Sequence, residues 1–307
     1  MKNSEIKRLV LAFIFSLGIF TVNAQGIVVC KKDGSKIRVS YEQLDSIATY
    51  DYSEGQGGVL DGENRVFTVN GVSFTMVPVK AGTFTMGATA EQQDPGNDEK
   101  PTHQVTLTND YYMGETEVTQ ALWEAVTGYS PTVSGSSWSS AKGIGNNYPA
   151  YYVSYEDVLS FLSKLNSLTG ETFRMPTEAE WEYAARGGNK SKGYQYSGSN
   201  TLGDVAWYRD NSNSMTHVVK AKLPNEFGLY DMSGNVWEWC SDWYSDTYSS
   251  SSQIDPVGAS SGSYRVIRGG GWYNSAGGCR VANRDGDAPS RHNDGIGFRL
   301  ALSYSKR

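Results

Sequence analysis

Residues 228–239 read GLYDMSGNVWEW, and residues 268–299 read RGGGWYNSAGGCRVANRDGDAPSRHNDGIGFR. In the first, Asp231 and Glu238 stand seven positions apart around Gly234, so one compact turn can offer two carboxylates and several backbone carbonyls to a cation. Ca²⁺ suits such hard oxygen donors. The plainer reading is a solvated turn whose Glu238 braces a neighbouring arginine. The second stretch alternates a fixed-looking skeleton (RGG, Trp272, CRVANR, IGFRLAL) with small polar residues and Tyr273.

Together with FTMVPVKAGTFTMG from Phe74, the two segments resemble the family of formylglycine-generating, sulfatase-modifying oxidases, over residues 74–302. The resemblance implies an α+β, C-type-lectin-like fold with little regular secondary structure. It implies calcium bound by the side chains of Asp231 and Glu238 and the carbonyls of Gly234 and Val236. A second, weaker calcium site maps to Asp204 and Val205, without a clear second half between residues 211 and 224.

The family's oxidase needs two cysteines in a C-x4-C spacing to hold Cu(I), because soft thiolates select that ion. Counted forward from Trp272, the two positions hold Asn274 and Cys279; counted back from Arg280, they hold Gly271 and Ala276. The first cysteine is absent either way, so Cu(I) is not expected and catalysis reads as lost. The enzyme alternative keeps Cys279 as the reactive thiol of a copper or thiol oxidase acting on exported sulfatases. His103, His217 and His292 show no ligand spacing and read as ordinary surface or loop histidines, and no G-x-S-x-G elbow marks a hydrolase.

The residues outside the skeleton between 271 and 294 include Tyr273, Asn274, Ser275, Gly277, Gly278, Asp285, Asp287, Ser290, His292, Asn293 and Asp294. This is the palette of antibody combining loops, and equally that of turns. The segment is also similar to the variable regions of diversity-generating retroelement target proteins. There, adenine-directed mutagenesis converts AAC codons to NNC, a set that encodes every residue just named. That similarity implies a ligand-binding face for a protein or glycan. A purely structural surface-assembly component is the third reading.

Toward the amino terminus, Lys2, Lys7 and Arg8 precede an apolar run at residues 9–22 and a Val22-Asn23-Ala24 cleavage pattern, so residues 1–24 read as a signal peptide cut near Ala24-Gln25. The run is too short for a membrane span. The expected location is periplasmic, extracellular or cell-surface. Without the leader, 24 basic residues face 32 acidic ones, which argues against a nucleic-acid partner. Residues 25–65 read as a β-hairpin module around Lys32-Asp33-Gly34-Ser35 and a glycine-rich linker; the main domain occupies residues 66–304, starting with a strand around Val66 to Pro78. Three helices are marked by N-caps and stop glycines: Thr119 to Gly128, Ser154 to Gly170 and Thr177 to Gly187. In the second, Val158, Leu159, Phe161, Leu162 and Leu165 form one core-facing stripe. Cys240 and Cys279, one in each family segment, are the favoured disulfide, with free buried thiols as the alternative.

Overall fold

The computed structural model describes residues 62–304 except 133 and 134, together with the backbone of four short strands ahead of them. Those strands, β1 (Phe20–Asn23), β2 (Gly26–Cys30), β3 (Lys36–Ser40) and β4 (Ala48–Tyr50), pair in chain order as an antiparallel sheet. β2 and β3 form the expected hairpin, in register from Gly26 opposite Ser40 to Cys30 opposite Lys36. β1 lies within the stretch read as a leader, so cleavage after Ala24 would remove it. The turn at residues 31–35, the rest of the leader and the linker at residues 53–61 lie outside the described residues. Leu60–Tyr304 fold as one unit, and β1–β4 belong to another.

The main unit opens with a hairpin, β5 (Arg65–Val69) and β6 (Val72–Val79), rather than with one continuous strand. Asn70 and Gly71 between them both have positive φ, 48° and 83°, as a two-residue type I′ turn requires. Then come β7 (Gly82–Met86), β8 (His103–Leu107), β9 (Tyr111–Gly114), α1 (Gln120–Thr127), α2 (Tyr155–Thr169), β10 (Phe173–Arg174), α3 (Glu178–Ala185) and the single turn α4 (Leu202–Val205). The last third holds β11 (Trp237–Trp243), β12 (Gln253–Ile254), β13 (Arg265–Arg268), β14 (Arg284–Asp287), β15 (Ile296–Gly297) and β16 (Ala301–Ser303). Three sheets result, in the orders β10-β16-β9-β6-β5, β14-β13-β11-β15 and β12-β8-β7. Helices are few and strands short.

Local chemistry starts each helix where expected. Thr119 accepts from the Leu122 amide, and Ser154 with Asp157 and Thr177 with Glu180 form full capping boxes. Of the α2 stripe, Val158, Phe161, Leu162 and Leu165 are buried, but Leu159 is 48% exposed. It lies on the wall of a cleft of about 740 Å³ together with Tyr155, Phe173 and Val257. One aromatic core joins α1, α2 and the carboxy-terminal segment through Trp123, Phe161 and Phe298, whose rings lie 5.2 to 6.2 Å apart. A second core surrounds α3, with Trp181 and Tyr183 buried against β9, β11 and β13.

Cys240 and Cys279 form no disulfide; both are free and buried. Cys240 packs in the core around α3, whereas Cys279 packs with Tyr196, Leu202, Val205 and Ala206. Each thiol is enclosed by its own apolar neighbours.

Candidate functional site

Two neighbouring regions hold the residues singled out in the sequence. The first is the turn before β11. Asp231 and Asn235 take positive φ there, and Gly234 sits so close to the Trp207 carbonyl that a Cβ would clash with it. Glu238 is fully buried; its Oε1 and Oε2 accept from Arg299 Nη2 and Nε, each at 2.6 Å, and Oε2 also accepts from Trp181 Nε1 at 2.6 Å. The side chain thus braces an arginine, as the plainer reading has it, but from a buried rather than a solvated position. Arg299 passes the connection on to the carbonyls of Gly114 and Tyr230.

Asp231 behaves differently. Its Oδ2 accepts from the Lys220 amide at 2.7 Å, while its buried Oδ1 has no hydrogen-bond partner. A third buried carboxylate, Glu117, accepts from Asn235 Nδ2 at 2.7 Å and from the Val236 amide at 3.1 Å. Sequence reasoning missed Glu117, which carries no local signature and reaches the turn from more than a hundred residues upstream. Three buried carboxylates thus share one guanidinium. Burial, then the charges of Asp231 and Glu238, raise the Glu117 carboxyl well above the usual range; burial, with Glu238 contributing, raises Asp231 to about 6.

Asp231 with its orphaned oxygen, and Glu117 with spare lone pairs, fit a hard divalent cation. Glu238 Oε2 accepts two bonds, but its Oε1 accepts only one, from Arg299, and so keeps a lone pair as well. No group of three or more His, Cys, Asp or Glu side chains among the described residues is arranged to hold a metal, so backbone carbonyls would have to complete any shell. Asp204, from the weaker site, is exposed, and its carbonyl accepts from the Leu223 amide.

The second region comprises the loops between β13 and β15. Trp272 is buried, donates Nε1 to the Asp294 carbonyl at 3.1 Å, and lies under the Lys142 ammonium, which also pairs with the Asp294 carboxylate at 3.2 Å. Tyr273 projects beside it, 37% exposed, its ring packed where any Gly295 side chain would have to go. Burial, then the charges of Asp294, Asp287 and Asp285, push its phenol up to about 12. Ser275, Gly277, Asp285 and Ser290 are exposed; Gly278, Asp287, Asn293 and His292 are half-buried.

Asn274 is structural rather than displayed. Its Oδ1 accepts from Trp237 Nε1 at 2.8 Å and from the Gly271 amide at 2.9 Å, joining the loop to β11. The glycines also divide. A Cβ on Gly277 meets nothing closer than 4.0 Å, whereas one on Gly286 lies 2.7 Å from the Tyr244 ring and one on Gly278 lies 3.1 Å from Asn274. Underneath, Arg280 makes a buried bidentate pair with Glu99, and Arg284 another with Glu178. Burial pushes the Cys279 thiol up to about 12. Such a group is protonated at neutral pH and is a poor nucleophile or metal ligand.

The histidines lie in three separate settings. His103 is buried in β8 against Tyr248, and so is not a surface residue. His217 stacks on Trp207 with ring centroids 3.8 Å apart, and His292 bonds Asp157.

With this geometry in place, the model of the sulfatase-modifying factor enzyme 1-like domain matches residues 67–304. The chain belongs to that family. A formylglycine-generating enzyme of Streptomyces coelicolor is 31% identical over 283 residues, covering 73% of this chain and 88% of its own. The chaperone protein LppX of Paenibacillus barcinonensis is 33% identical over 213 residues, covering 56% and 72%. Among solved structures, Treponema denticola variable protein 1 superposes with a TM-score of 0.68 at 35% identity, covering 78% of this chain and 98% of its own. PvdO from Pseudomonas aeruginosa gives 0.61 at 32% identity, covering 75% and 94%. Sulfatase-modifying-factor-like domains thus include proteins named as enzymes and one named as a chaperone, so activity has to be argued from the site.

Proposed function

We propose that this protein is an exported, non-catalytic sulfatase-modifying-factor-like domain that binds a protein or glycan ligand through residues 271–294. The observation that carries the reading is the alternation along this segment. Buried anchors (Trp272, Arg280, Arg284, Ile296) hold the backbone, while Tyr273, Ser275, Gly277, Asp285 and Ser290 point outward. An exposed tyrosine among small polar residues gives contact area at low entropic cost. Against the oxidase alternative stands Cys279, whose thiol is buried and strongly protonated and has no second cysteine in its loop. No helix among the described residues is long and apolar enough to cross a membrane, which is compatible with export.

The structural cofactor in this reading is Ca²⁺, held by Asp231 Oδ1, Glu238 Oε1 and the carbonyls of Gly234 and Val236, with Glu117 as a further carboxylate beside them. Its chemistry is charge compensation of the buried carboxylates, with no catalytic part.

Binding is tested on a glycan array and against candidate surface proteins, comparing the calcium-loaded protein with its Tyr273→Ala and Gly277→Arg variants. Both substitutions are expected to abolish whatever binding the wild type shows, at unchanged melting temperature. Binding indifferent to both removes the face. Conversion of a sulfatase-peptide cysteine to formylglycine, lost in Cys279→Ser, restores the enzyme reading. The gene tests diversification: the displayed codons should end in C, and a near-copy carrying AAC at those positions should lie beside a reverse transcriptase gene.

A further inference from the structure

We propose that the cleft lined by α2 and the turn joining β8 to β9 is a second binding site, suited to a peptide segment in which a lysine or arginine is flanked by aliphatic side chains. It encloses about 740 Å³, within the range of clefts that hold a ligand, and none of the residues lining it belongs to 271–294. Two of its large apolar side chains are left in solvent: Leu159 is 48% exposed and Val257 70%. Leu162 and Phe173, on the same wall, are buried. Exposed aliphatic surface gathered on a concave wall is the kind of patch that marks an interaction site.

The charges decide the occupant. Those lining the cleft belong to Asp110, Arg174, Glu180 and Asp255. Arg174 and Glu180 cancel each other through two bonds of 2.6 Å, and Asp110 has Lys80 at 3.4 Å. Asp255 is exposed and pairs with no cation among the described residues; its two oxygens accept from the Thr108 amide and the Thr108 hydroxyl, neutral donors that leave its charge in place. Each of those oxygens keeps a lone pair. Because Thr108 and Asp110 belong to one turn, both carboxylates stand at the same end of the cleft. The excess charge is therefore negative and local, beside an apolar wall.

Recognition by an added strand is closed off at the one sheet edge that lines the cleft with a large apolar residue. β10 is the outer strand of its sheet, but the Phe173 amide donates to Asn166 Oδ1 at 2.7 Å, and the Phe173 carbonyl accepts from Asn166 Nδ2 at 2.9 Å. Both main-chain groups of that residue are thus taken. Side chains must carry the contact: aliphatic groups against Leu159 and Val257, and a cation at Asp255. A purely apolar ligand would leave Asp255 unpaired, and an acidic one would be repelled by it.

Three peptides, acetyl-Leu-Lys-Leu-amide, acetyl-Leu-Glu-Leu-amide and acetyl-Ser-Lys-Ser-amide, titrated into the methyl-labelled protein and followed by NMR, test the site. The first should shift the Leu159, Leu162 and Val257 methyl signals to saturation, and the other two should leave them in place. Asp255→Asn can keep both contacts to Thr108 and tolerates the positive φ of 43° at this position. It should weaken the first peptide by about two- to fivefold, the scale of a solvent-screened ion pair, and make its affinity nearly independent of salt. Val257→Asn, at an exposed position, should abolish the shifts. Melting temperature checks that each variant is folded. The site is refuted if the first peptide leaves these methyls unmoved, if the glutamate peptide binds as tightly, or if Asp255→Asn binds like the wild type. Tyr273→Ala, on the other face, should bind the first peptide unchanged; a loss there would assign the contact to residues 271–294 and overturn the second site.

Discussion

Removing one partner of the Glu238–Arg299 pair breaks a buried, doubly hydrogen-bonded ion pair, a loss that typically costs about 3–5 kcal/mol and is offset here in part for Arg299 by the charges of Glu117 and Asp231. Glu238→Gln is therefore expected to lower the unfolding free energy by up to that amount in urea titrations. Asp231 should respond in the opposite sense in calcium-free protein, because its buried carboxyl titrates at about 6, above the roughly 3.9 of an unfolded aspartate. The folded state then binds the proton more readily, so stability should rise as pH is lowered from about 7 towards 4. Saturating Ca²⁺ should raise the melting temperature at pH 7, by about 2.7 kcal/mol of stabilisation at a hundredfold excess over Kd. Asp231→Asn should remove that response. A melting curve indifferent to both EDTA and Ca²⁺ would dismiss the cation.

At the scale of elements, α2 shows how far a pattern reaches. Leu165 is wholly buried and Leu159 half exposed. Leu165→Ala should cost about 2–5 kcal/mol, while Leu159→Ala should stay within about 0.5 kcal/mol. β11 offers a pH test away from the cation. Burial, then the charge of Glu178, raises Asp242 to about 7, and it accepts from the Glu178 amide and the Ser241 hydroxyl. Stability carried by this raised group is fully present below about pH 4 and lost as pH rises through about 7. Asp242→Asn, which can still accept both bonds, should flatten that slope and leave the protein more stable than wild type at pH 8. The helices were legible because a cap acts over three residues: Thr119, Ser154 and Thr177 each bond an amide one turn away. The Glu238–Arg299 and Glu99–Arg280 pairs span 61 and 181 residues, and no local spacing announces them. The turn at residues 231–238 was legible as a segment, but not that Glu117 reaches it from far upstream or that Arg299 bonds Glu238 there. The cysteine pairing misled because sharing family segments says nothing about which core each thiol enters.

Across the whole molecule, the buried ion pairs under the face do the work that a disulfide was expected to do. Arg268 bonds Glu182, Arg284 bonds Glu178 and Arg280 bonds Glu99, so the segment from β13 to β15 is fastened to α3 and to the loop ahead of β8. The melting temperature of the main unit should accordingly be the same with and without dithiothreitol; a fall on reduction would mean that a disulfide forms after all. The vacant space around Gly277, set against the Tyr244 ring packed on Gly286, has a consequence for protein engineering. A randomised library at positions 273, 275, 277, 285 and 290 should yield mostly protease-resistant clones. Adding positions 274 and 286 should make most clones protease-sensitive, because the first loses the anchor to β11 and the second places a side chain inside an aromatic ring. Sorting such libraries by survival would chart, position by position, how much novelty this scaffold can carry.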